Sequence, residues 1–78
     1  MDATKIAEHM EIVGSCGHHV GTVDHVEGDM IKLTKSDSAD GKHKFLPLAE
    51  VAKVEHGKVI TRGNHMDALG KLKDQPRA

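Results

Sequence analysis

The densest set of chemistry-bearing side chains in this sequence is Cys16-Gly17-His18-His19. A thiolate and two imidazoles are ligands for zinc, nickel or copper, and a structural zinc takes four such groups in a tetrahedron. His25, His43 and Asp24 are the candidates for a fourth position. In an extended segment neighbouring side chains point to opposite faces, so bringing His18 and His19 together on Cys16 is geometrically awkward. The sequence therefore favours a solvated turn with a free thiol over a metal centre of Cys16, His18 and His19, and no cofactor is expected. As a nucleophilic pair, the same residues would need a depressed thiol pKa, a base in hydrogen-bond reach and an oxyanion hole beside a pocket. A chain of 78 residues has little room for a pocket once its core is filled. The expectation is a protein that is not an enzyme.

Two further groupings carry charge. Asp24-His25 with Glu27 offers carboxylates and an imidazole on a strand, where Asp24 and His25 should face opposite ways and sit on the wet face or cap a turn. Lys32, Lys35, Lys42 and Lys44 gather around a polar loop, but Asp29, Asp37 and Asp40 in the same region cancel much of their charge. The 36–42 loop, with Lys35, Asp37, Asp40 and Lys42, is the surface expected to meet a protein partner. Eleven basic and twelve acidic residues give a net charge of −1, against the basic surplus that marks DNA binding. RNA contact is a weaker alternative, since the chain has one aromatic residue and so little to stack bases on. Seven histidines make solubility and self-association sensitive to mild acid.

The elements that must position these groups are mostly strands. Residues 3–10 have the spacing of two helical turns, with Asp2 or Thr4 as cap and Ile6 and Met10 on one face. Met10 to Val13 reads as a short strand stopped by Gly14-Ser15-Cys16-Gly17. Val20, Val23 and Val26 recur every three residues, which requires a bulge or sharp bend near Gly21 if the segment is one strand. Gly28-Asp29 between two extended runs is the signature of a two-residue type II′ hairpin, and Ile31 and Leu33 alternate with Lys32 and Thr34 beyond it. Strand character at His43 to Leu46 meets Pro47, which cannot donate to a ladder and marks a strand end or edge. Leu48 to Val51 is a short helical turn. Ala52–Glu55 and Lys58–Thr61 flank His56-Gly57 as a second hairpin with Val54 opposite Val59. Asn64 caps a C-terminal helix through Met66 and Leu69. Ile6, Met10, Met66 and Leu69 are read as cover for the core, the alternative being a terminal helix that swings out to dock on a partner or a second copy.

Length bounds the chain to one domain, taken as residues 1–72 with a frayed tail at 73–78. A single cysteine allows no intrachain disulfide and fits a reducing compartment. The first ten residues lack the basic start and apolar run of a signal peptide, and no stretch approaches a membrane span. A cytoplasmic location without membrane contact is expected.

H-M-E-I-V-G-S, H-V-G-T-V-D-H-V-E-G-D, I-K-L-T-K-S-D and P-L-A-E-V resemble a bacterial family of short proteins of unknown function, related to the PRC-barrel domains. The likeness runs from about Ile6 to Thr61. PRC-barrels serve as docking modules in the photosynthetic reaction centre and in a ribosome maturation factor. The resemblance implies an all-β fold: a small, strongly bent barrel of five or six strands with short helical segments at both ends. It also implies a docking module for a protein partner and His25 as a buried hydrogen-bonding residue; a homodimer is a minority outcome that the apolar chain ends, not the resemblance, suggest. It supplies no catalytic residue. Cys16 stands where that family more often resembles G-S-D-G, and His18 where an acidic or polar residue is expected. Any role for Cys16 and His18, including that of a metal or small-ligand sensor, would thus be particular to this chain.

Overall fold

Gly28 and Asp29 reverse the chain within two residues. Glu27 and Met30 pair across the turn, and Gly28 has φ +57 while Asp29 does not adopt a positive φ, as a type II′ turn requires. The computed structural model, which describes residues 5–34 and 44–73, builds outward from this hairpin. The strands are β1 Glu11–Val13, β2 His19–Glu27, β3 Met30–Leu33, β4 Phe45–Pro47, β5 Val51–Glu55 and β6 Lys58–Thr61, followed by helix α1 at His65–Gly70. They form one six-stranded sheet in the order β4-β3-β2-β1-β6-β5. All pairings are antiparallel except β1 with β6.

The threefold spacing of valines in β2 is resolved by two bulges. The register with β1 slips at Val20, since Ile12 pairs with Gly21 and Val13 with His19. The register with β3 slips at Asp24, since Val23 pairs with Leu33 and His25 with Lys32. Each extra residue turns the strand, so Val20 and Val23 are both buried despite their odd separation. Gly21 lies at the first bend, with no space for a Cβ against Leu33. The second hairpin forms as expected. Val54 opposes Val59, and His56 and Gly57 both have positive φ, the type I′ geometry.

The strand order forces the sheet to curl. Edge strands β4 and β5 follow one another in sequence, joined only by the 3-10 turn Leu48–Glu50. Across a flat six-stranded sheet they would lie about 24 Å apart, at ~4.8 Å per strand. Three intervening residues span at most about 15 Å between Pro47 and Val51. Only a rolled sheet brings the two edges within reach. Pro47 sits on edge strand β4, where its missing donor costs no ladder bond. The other long side of β4 is met by Lys73, whose backbone exchanges two hydrogen bonds with Phe45, both at 2.8 Å.

Ile6, Ile12, Val20, Val23, Ile31, Leu33, Leu46, Val51, Val59 and Ala68 form the core, and Phe45 is also buried. Two expectations are corrected at the chain ends. Residues 6–10 are not helical, because His9 N–H bonds to Val23 O and Val23 N–H to Met10 O, so pairing with β2 replaces a short, costly helix. Ile6 is nonetheless core and Met10 packs against it. Met66 and Leu69 do not cover the core: they are 70% and 47% exposed, and Ala68, at 2%, faces inward instead. Asp2 and Thr4 lie outside the described residues.

Candidate functional site

Because β1 and β6 run parallel, with Val13 beside Ile60, the segments that leave them emerge on the same side of the sheet. The 14–17 turn therefore lies against residues 63–65, almost fifty positions later. Ser15 N–H donates to Gly63 O at 2.9 Å, and the Thr61 hydroxyl donates to the same carbonyl at 2.8 Å, satisfying a buried polar side chain. Gly14 N–H bonds to His18 O and Gly17 N–H to Gly14 O, both at 2.9 Å, which closes the turn; Gly17 takes φ +86. A Cβ on Gly14 would run into the backbone of Asn64 and His65, so glycine permits the close approach. Asn64 caps α1 as expected, its Oδ1 accepting from Asp67 N–H at 2.9 Å.

The cap places His65 directly over Cys16. Cys16 Sγ lies 3.1 Å from His65 Nδ1, and the His65 backbone N–H donates to Sγ at 3.4 Å. The His18 and His65 rings are 4.7 Å apart and tilted by 31°. Ligand atoms of Cys16, His18 and His65 all lie within 4.8 Å of one another. Cys16 and His18 are exposed and His65 is half-buried. The backbone hydrogen bond from His18 lowers the Cys16 thiol most, followed by the backbone and then the ring of His65, bringing its pKa down to about 7. A thiol so placed is partly ionised at neutral pH, the form that ligates metals and attacks electrophiles.

His19 is not part of this cluster. It sits in β2 and its Nδ1 is 2.9 Å from Glu11 Oε2, with Lys58 Nζ 3.3 Å from the other carboxylate oxygen. The hydrogen bond to His19, and then that to Lys58, hold the Glu11 carboxyl below its ordinary pKa. His18 stays in the connection before β2 while His19 begins the strand and turns to Glu11, and His65 takes the place expected for His19 beside Cys16. His65 was missed because nothing near it in sequence points to Cys16; the parallel pairing of β1 and β6 is what joins them.

His25 is corrected as well. Its ring is half-exposed, 3.0 Å from Glu27 Oε1 and 3.6 Å from Asp24 Oδ2, so it is not buried. Asp24 reaches it despite being its neighbour because the bulge at Asp24 breaks the alternation of faces. Lys35, Asp37, Asp40, Lys42 and His43 lie outside the described residues. Among the described residues, no helix is long and apolar enough to cross a membrane.

Residues 6–68 match a family described as an uncharacterised protein conserved in bacteria. No curated protein and no solved structure matches the chain. The family match spans both halves of the sheet, the Cys16 turn and most of α1, and the chain therefore belongs to this bacterial family of unknown function, DUF2171.

Proposed function

We propose that this chain is a non-enzymatic docking module on a PRC-barrel-like β-domain, acting in the cytoplasm on a protein partner. The curled sheet supports the barrel likeness, because its two edge strands are linked by three residues. The docking reading rests chiefly on one observation: α1 is fixed by its Asn64 cap and by buried Ala68, yet turns Met66 and Leu69 to solvent. A held helix that exposes its two largest apolar side chains spends them on something outside the domain. Methionine adapts its shape to a partner at little cost.

The occupant we favour is a second protein with a shallow apolar site. A stable dimer buries roughly 800 Å² per partner, more than Met66 and Leu69 supply, so a transient heterologous contact fits better than self-association. The 36–42 loop, through Lys35, Asp37, Asp40 and Lys42, is proposed to add polar contacts. The test is site-specific photocrosslinking in cells from position 66, with position 53 on β5 as the control. A discrete protein adduct from 66 that is absent from 53 and lost in Leu69→Glu is the expected result. Identical patterns from both positions, an adduct of the chain with itself, or one destroyed by ribonuclease would each overturn the proposal.

A further inference from the structure

We propose that Cys16, His18 and His65 form a three-ligand site for a zinc-class divalent ion, with a fourth position open to water or an exogenous ligand. The site is assembled by the fold: two ligands come from the turn after β1 and one from the first residue of α1. One thiolate with two imidazoles is a ligand set that zinc accepts readily. In a tetrahedral zinc site the sulfur and nitrogen ligands lie about 3.3–3.6 Å apart, given Zn–S near 2.3 Å and Zn–N near 2.0 Å. Cys16 Sγ and His65 Nδ1 are already at 3.1 Å, and the whole set lies within 4.8 Å. The remaining closure of about an ångström falls within the rotamer freedom of His18, which is exposed.

The surroundings suit a metal thiolate. The His65 backbone N–H points at the sulfur, the kind of outer hydrogen bond that orients a ligand. The backbone that carries the ligands is fixed by Gly14 against Asn64 and His65, by the Ser15–Gly63 hydrogen bond and by the Asn64 cap. On binding, the Cys16 thiol gives its proton to solvent and the sulfur lone pair to the ion. The bound ion would tie the turn after β1 to the start of α1, two segments that otherwise meet through hydrogen bonds.

With seven histidines in the chain, a specific site must be distinguished from diffuse imidazole binding. The experiment is calorimetric titration of the reduced, metal-free protein with zinc, paired with the absorption spectrum of the cobalt-loaded form. One ion per chain and a thiolate-to-cobalt charge-transfer band are expected. Cys16→Ser should abolish the band, Cys16→Ser and His65→Asn should each weaken zinc binding more than tenfold, and His19→Gln should leave it unchanged. Circular dichroism of each variant establishes that it is folded. Absence of binding, a cobalt spectrum without a sulfur band, or an equal loss in His19→Gln would overturn the proposal. None of these variants alters Met66 or Leu69, so the outcome is independent of the docking reading.

Discussion

The Cys16 thiol is held below its ordinary pKa, and the source is mainly backbone. The largest influence on its thiol is a hydrogen bond from the backbone of His18, not the His18 ring. This makes a sharp prediction. In metal-free protein with a chelator present, the rate of alkylation by iodoacetamide should rise with pH about a midpoint near 7, against an ordinary thiol value of 9.0. The thiolate is the reactive form, so reactivity is lost below that midpoint and saturates above it. His18→Gln keeps the backbone donor and should leave the midpoint in place. His65→Asn removes the ring contact and should move it upward. A midpoint near the ordinary value in the parent chain would show that the sulfur does not make these contacts in solution.

At the scale of elements, the junction between the 14–17 turn and α1 decides whether the site exists. Gly14 is not there for a left-handed backbone; it is there because the start of α1 passes where a side chain would be. Gly14→Ala should therefore separate the turn from the helix. Overpacking against a backbone that cannot move aside destabilises by about 1–3 kcal/mol. Urea denaturation followed by circular dichroism should show a lower midpoint, and Cys16 should return toward ordinary thiol reactivity as His65 is displaced. An unchanged midpoint with unchanged Cys16 reactivity would mean that the two segments are not in contact. The α1 helix has only six residues and is too short to persist alone, so its cap and Ala68 hold it in place.

For the whole molecule, stability comes from a small set of aliphatic side chains enclosed by a curled sheet. Ile31 is fully buried and lies on β3, between the central strand β2 and the edge strand β4. Ile31→Ala should cost about 2–5 kcal/mol through lost transfer energy and an unfilled cavity. A 78-residue domain has a total of only about 4–12 kcal/mol to lose. Chemical denaturation should thus show a large drop in midpoint, and a fully folded variant of nearly parental stability would contradict the core assignment.

The hairpins were legible in the sequence because their turn residues act locally. Gly28-Asp29 and His56-Gly57 fix reversals within four residues, and alternation around Ile31 and Leu33 then sets which face is buried. The bend near Gly21 and the Asn64 cap could be read for the same reason, since both are properties of a few adjacent residues. The second bulge at Asp24 could not, because only pairing with β3 reveals it. Nor could the outward turn of Met66 and Leu69, because which face of α1 meets the core is decided by packing, and here that face carries Ala68. The Cys16 partner is the clearest case. Local sequence supplied Cys16 and His18 and suggested His19, but the choice of His65 required β1 and β6 to run side by side in the same direction. Short-range backbone preferences are written in the chain itself; a contact across 49 residues is decided only when strands from distant parts of the chain pair.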